Sequence, residues 1–214
     1  MSSIDRELTT TSYAILGLLA VRPWSTYELA AQMRRNLHYF WPRAESNLYA
    51  EPKRLLDGGF ARADARPVGL RRRTVYSITP KGRRALARWL GTPAAETRLE
   101  CETLVKLMFA NHGSQKALLE NLGRFRAEAA ARRDELRALL EEHLAEDGPF
   151  PERLHVNVLA FRFLWDHAEA DARWADWAIR EVERWDGVAE PGDRRRLLRL
   201  LSEAVSGGVR RGQA

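Results

Sequence analysis

The chain has 214 residues, enough for one or two domains, and its 45% hydrophobic and 30% charged residues make a soluble globular balance rather than a disordered one. One cysteine, Cys101, excludes an intrachain disulfide, the early apolar run Tyr13 to Val21 is too short for a membrane span, and Asp5 and Glu7 ahead of it spoil the layout of a signal peptide. The net charge of +6 is uneven: residues 1–92 carry 16 Lys/Arg against 7 Asp/Glu, a balance of +9, and the remainder comes to −3, which points to a polyanion-binding module joined to an assembly domain, while the single cysteine fits a reducing, cytoplasmic compartment.

Thr9 to Val21 has a helical apolar face of Tyr13, Leu16, Leu19 and Ala20. Arg22-Pro23-Trp24 breaks it. Ser25 and Glu28 have capping-box spacing and open a second helix through Leu29, Ala30 and Met33. Trp41-Pro42 starts a third element, periodic through Leu48, Lys53, Leu55 and Leu56, and Gly58-Gly59 ends it. Pro52 falls inside that element, where its missing amide predicts a kink or a split helix. Residues 60–66 read as a modest strand, 67–70 as a turn, and 72–78 as a second strand rich in β-formers. Thr79-Pro80 fits a cap and first helical position, and the helix that follows carries Ala85, Leu86, Trp89 and Leu90.

The second half is helical throughout. An apolar-rich helix is predicted over 97–110, and Gly113-Ser114 breaks and recaps the chain. A long helix then runs from about 115 to 145, with a seam of Leu118, Leu122, Phe125, Ala129, Arg132, Leu136, Leu139 and His143 at alternating spacings of four and three. A turn over 147–151 leads to a second long helix, about 152–186, with a similar seam that includes Leu154, Val158, Phe161, Trp165, Ile179 and Val182. A short helix over 193–206 precedes a flexible tail, 207–214.

The expected fold is therefore mainly α with a small β hairpin. Three helices and a hairpin in residues 1–92 make a winged helix-turn-helix, and 97–206 form an all-helical assembly domain. A helix of this module can present short polar and basic side chains to base edges, and the hairpin can set arginines against phosphate or minor groove. The third helix offers Arg43, Ser46, Asn47, Tyr49, Lys53 and Arg54, and the hairpin offers Arg71, Arg72 and Arg73. Tyr49 also suits core packing, and Arg54 also suits a solvated helix face.

Three stretches, "YAILGLLAVRPWSTYELA", "FWPRAESNLYAEPKRLLDGGF" and "RRRTVYSITPKGRRALARWL", together resemble the PadR family of bacterial transcriptional regulators. The helices after residue 97 are similar to that family's larger type of C-terminal dimerisation domain. The resemblance implies a homodimer on double-stranded operator DNA, often a repressor relieved by an effector. It assigns Ser46, Asn47, Tyr49 and Lys53 to the recognition helix and Arg71 to Arg73 to the wing.

Catalytic chemistry finds little support. No two of the five histidines have zinc-helix spacing, and no phosphate-loop or dinucleotide motif is present. Neither a cofactor nor a metal is implied; Asp166, His167, Glu169 and Asp171 read as a solvated charged face, and Cys101 as buried and inert. Trp174 and Trp177, three apart on one helix, suit dimer core or the wall of a pocket for a flat apolar or aromatic effector. Two uncovered seams of this length call for a partner, and Leu154, Val158, Phe161, Trp165 and Ile179 are the expected dimer contacts, which implies a near-palindromic operator. A coiled-coil protein-interaction module without specific DNA binding is the alternative.

Overall fold

The computed structural model describes residues 8–42, 50–68, 71–145, 149–189 and 193–210. The chain divides into two compact units, Met1–Thr97 and Arg98–Ala214.

The first unit opens with helix α1 (Thr10–Val21), capped by a reciprocal pair of hydrogen bonds between Thr9 and Ser12. A two-residue strand, β1 (Trp24–Ser25), leads into α2 (Thr26–Gln32), which continues as a turn of π-helix over Met33–Leu37. Then come α3 (Glu51–Asp57), β2 (Ala61–Val68), β3 (Arg71–Ile78) and α4 (Pro80–Leu90). The hairpin is longer than expected, since Pro67, Val68 and Arg71 belong to strands and not to the turn. It is also part of a three-stranded antiparallel sheet in the order β1-β3-β2.

Helix α1 is the hub, touching α3, α4 and β3. Ile15, Leu16 and Leu19 of α1 are buried with Trp24, Leu29, Met33, Leu55 and Phe60. The Trp24 indole donates to the Leu18 carbonyl at 2.7 Å, so the ring is satisfied as well as buried. Tyr13 stacks on Trp89 at 4.8 Å, tying α1 to α4. Thr79 caps α4 by accepting from the Gly82 amide. At Gly82 the backbone passes so close to the Phe60 carbonyl that a Cβ would sit 2.2 Å from its oxygen.

In the second unit the helix expected over 97–110 shrinks to α5 (Glu102–Met108). Residues 93–100 are exposed and irregular, so no buried face rewards a helix there. Cys101, expected buried, is half-buried just ahead of α5. Ser114 caps α6 (Gln115–Leu144), and α7 (Leu154–Val182) follows. The last helix, α8 (Arg194–Arg210), runs four residues into the stretch expected to be tail; 211–214 lie outside the described residues.

Helices α6 and α7 form an antiparallel hairpin, as partner pairs of falling number along α7 show. The Gln115 side chain donates to the Val182 carbonyl at 2.7 Å, Phe125 meets Trp174 edge-on at 5.4 Å, and His143 meets Phe161 at 4.8 Å. The seams therefore cover each other, which corrects the expectation that both await a partner. Phe161 is only 7% exposed, and Ile179 packs on a cluster of Leu118, Leu122, Ala178 and Val182. Trp165 is half-buried with the Arg137 guanidinium 5.9 Å from its ring. Of the expected dimer contacts, Leu154 and Val158 alone are exposed; so, unexpectedly, are Leu159 and Phe163 on α7.

Candidate nucleic-acid interface

The candidate interface starts at α2. Ser25 accepts from the Glu28 amide, and the Glu28 carboxylate accepts from the Ser25 amide at 2.8 Å and hydroxyl at 2.7 Å. The Ser25 amide, then its hydroxyl, hold the Glu28 carboxyl below the ordinary glutamate range.

Residues 43–49, which include Arg43, Ser46, Asn47 and Tyr49, lie outside the described residues. The chain on either side is held by neighbouring residues of α1. Thr11 accepts from the Trp41 indole at 3.1 Å, and the Ser12 hydroxyl donates to the Glu51 carboxylate in a short buried bond. Pro52 is the second residue of α3, in its first turn, where a missing amide breaks no helical bond. The expected kink or split concerns the Leu48 carbonyl, which falls within 43–49, outside the described residues. Glu51, Pro52 and Leu55 are buried while Lys53 is exposed, so Lys53 stands on the outer side of the helix. Arg54 reaches the Glu51 carboxylate at 3.5 Å.

Two glycines end α3. The Gly59 amide donates to the Leu56 carbonyl and the Phe60 amide to the Leu55 carbonyl, both at 2.9 Å. Gly59 has φ +70°, a left-handed conformation that favours glycine. The Lys81 ammonium donates to the Gly58 carbonyl at 2.9 Å, beside the negative end of α3, and so is occupied locally.

The wing is set by strand register. Val68 pairs with Arg71, Pro67 with Arg72 and Arg66 with Arg73. Arg71, Arg72 and Arg73 are thus the first residues of β3, although their side chains lie outside the described residues. The register adds Arg66, which the sequence reading left out; only the strand pairing could have found it. Arg66 and Arg73 thus hold facing positions in the ladder, and the Arg66 side chain likewise lies outside the described residues. Beyond the wing, Arg34, Arg83, Arg84 and Arg88 are exposed on this unit.

The other expected site residues separate. Trp174 packs against Phe125 and the Leu118–Leu122 cluster, whereas Trp177 is 43% exposed. The acidic face of α7 is engaged by arginines: Asp166 by Arg162 at 2.8 Å, Glu169 by Arg133 at 2.9 Å and Asp171 by Arg132 at 3.1 Å. Among the described residues no His/Cys/Asp/Glu group suits a metal ion, and no helix is long and apolar enough to cross a membrane.

Comparison with known proteins agrees with this geometry. Residues 15–88 match the PadR-like transcriptional regulator family and residues 101–183 the virulence activator alpha C-terminal family. A probable transcriptional regulator of Mycobacterium tuberculosis is 29% identical over 145 residues, covering 63% of this chain and 77% of that protein. The negative transcriptional regulator PadR of Bacillus subtilis is 33% identical over 100 residues, 45% of this chain and 54% of that protein. Bacillus subtilis PadR has been solved with operator DNA, and that structure shares the fold at a TM-score of 0.69 with 22% identity, over 81% of this chain and 99% of the other. The same regulator solved with p-coumaric acid aligns at 0.63 with 22% identity, over 86% of this chain and 99% of the other. Matched family and relatives regulate transcription and are not enzymes. The chain thus joins a first unit similar to the PadR-like transcriptional regulators to a helical region similar to the virulence activator alpha C-terminal family.

Proposed function

We propose that the chain is a homodimeric, sequence-specific repressor that binds a near-palindromic operator through residues 1–92 and is released by a small apolar or aromatic effector. The observation that carries the DNA-binding part is the wing, where Arg66 faces Arg73 with Arg71 and Arg72 alongside. Facing arginines on a hairpin beside a helix-turn-helix suit a polyphosphate partner. Asn47 is the candidate for base reading, since a side-chain amide can pair bidentately with adenine, and Arg43, Ser46, Tyr49 and Lys53 flank it in sequence. A chromosomal operator places the working protein in the cytoplasm.

Dimerisation rests on apolar surface that the α6–α7 hairpin leaves uncovered. Val158, Leu159 and Phe163 of α7 and Val105, Met108 and Phe109 of α5 and its end are all exposed. A two-fold copy is the commonest cover for such a face and spaces two recognition helices by whole turns of DNA. The effector part is supported by the p-coumaric acid complex of Bacillus subtilis PadR, and in this chain by Trp177, whose exposed ring can stack on a flat ligand.

The test is selection of duplexes from a random-sequence library by the full chain, followed by sizing of the complex by light scattering. A recovered near-palindrome bound by two copies, with affinity falling steeply as salt rises, is the expected result. A monomer with full affinity would remove the dimer, and salt-independent, sequence-blind behaviour would leave a protein-interaction module in its place.

A further inference from the structure

The helix-turn-helix contains a buried carboxylate that neither DNA contact nor dimerisation uses. Glu51 is the first residue of α3 and is 6% exposed. Its carboxylate accepts from Ser12 of α1, itself fully buried, and lies 3.5 Å from Arg54. Ser12 in turn accepts from the Thr9 amide at 2.9 Å, so its hydroxyl proton is free to point at Glu51. The residue just before it in α1, Thr11, accepts from the Trp41 indole at 3.1 Å. Two consecutive residues of the hub helix thus hold the chain on the two sides of residues 43–49.

Burial alone does not explain this arrangement. A leucine at position 51 would fill the space without the cost of taking a carboxylate out of water. What the carboxylate adds is direction. Helix α3 has two turns, and Leu55 is its fully buried apolar anchor. An apolar contact tolerates rotation about the helix axis, whereas a hydrogen bond does not. Glu51 and Leu55 are four residues apart and share the inward face, so fixing both leaves Lys53 on the outer face. We propose that the Ser12–Glu51 bond, together with Thr11–Trp41, is a clamp by which α1 sets the rotation of α3 on DNA, making Glu51 a positioning residue for operator recognition. This rests on the DNA-binding reading above.

The clamp acts on specificity rather than on charge, because both Ser12 and Glu51 are buried away from any phosphate. Loosening it lets α3 rock, which blurs base contacts and leaves the wing's electrostatic attraction in place. The experiment compares wild type with Ser12→Ala, Glu51→Gln, their double variant and Trp41→Phe. The probes are a duplex recovered by the wild-type protein from a random-sequence library and an unrelated duplex of equal length. Binding is read by fluorescence anisotropy across a salt series, at a temperature where circular dichroism shows each variant folded.

Ser12→Ala is expected to weaken the recovered duplex about tenfold or more while the unrelated duplex moves less than about twofold and its salt slope holds. The double variant is expected to be no worse than the weaker single variant, since both remove one interaction. Trp41→Phe is expected to act in the same direction. Equal weakening of both duplexes, or unchanged discrimination in Ser12→Ala, overturns the clamp. Ser12→Ala keeps the test decisive should Glu51→Gln fail to fold. If the wild-type protein recovers no sequence, the DNA-binding reading falls and the clamp with it, an outcome distinct from a wild type that discriminates beside variants that discriminate equally.

Discussion

Arg132 of α6 and Asp171 of α7 meet at 3.1 Å, at the level where the seam of α6 interrupts its run of apolar residues. The arginine is answered within the chain, by an aspartate that the sequence places in an acidic run. Both side chains are about a quarter to a third exposed, so the pair is desolvated enough to matter and wet enough not to be ruinous. Asp171→Ala should destabilise the helical unit by about 1–2 kcal/mol, because it leaves a half-buried guanidinium unpaired. Replacing both residues with leucine should recover most of that deficit. Urea unfolding followed by circular dichroism measures both; an unchanged midpoint in Asp171→Ala would show the pair to be idle.

Acid should weaken the first unit through Glu28. Its carboxyl titrates below the ordinary glutamate range in the folded state, because the Ser25 amide and hydroxyl bind the charged form. The folded value is the lower one, so the contribution is fully present above the unfolded glutamate value of about 4.3. It is lost as pH falls from there through the depressed folded value. Glu28→Gln should be less stable at neutral pH and should show a shallower acid limb in thermal melts. Parallel acid limbs in the two proteins would contradict this.

Wing and recognition segment should respond differently to mutation. Changing Arg71, Arg72 and Arg73 to alanine should weaken all duplexes alike, and the salt slope should flatten by about 0.9 for every phosphate left without its arginine. Asn47→Ala should instead cost about 1–3 kcal/mol of discrimination between operator and random DNA. Filter binding over a salt series separates the two patterns. A steep slope retained in the triple variant would mean that these arginines meet no phosphate.

Two phenylalanines two residues apart on α7 should part company. Phe161 is buried against His143 of the neighbouring helix, while Phe163 is 64% exposed. Phe161→Glu should unfold the helical unit. Phe163→Glu should leave it folded and shift the light-scattering mass toward a monomer. A folded dimer of Phe163→Glu at sub-micromolar concentration would place the interface elsewhere.

Gly82→Ala should cost about 1–3 kcal/mol, since its methyl would meet backbone and not a movable side chain. The Phe60 carbonyl it would strike also accepts from the Thr79 amide at 3.1 Å. A thermal melt suffices, and a wild-type midpoint would show that α4 can tilt away freely.

Local chemistry was the legible part of this sequence. Ser25 with Glu28, Thr79 with Pro80, and Gly58-Gly59 announce helix ends because each cap is made by residues close in sequence. The heptad seams marked two long helices but not their mutual pairing: periodicity says which face is apolar, not what covers it. Strand β1 was invisible because two residues have no period, and Trp24 and Ser25 are strand only by pairing with Tyr76 and Val75. The Ser12–Glu51 bond had no local signal, as its partners are 39 residues apart. Arg66 likewise has no local signal, since only the ladder brings it across from Arg73.

The hairpin has one more consequence, for the kinds of insertion its lineage can tolerate. With Val68 paired to Arg71, two residues separate the strands. A residue inserted within a strand must bulge out of the ladder or slide that strand by one step, and sliding exchanges the two faces along its whole length. A residue added at the turn instead enlarges the loop and leaves the register in place. Wings of related chains that preserve this register should therefore vary in length at the turn rather than within the strands.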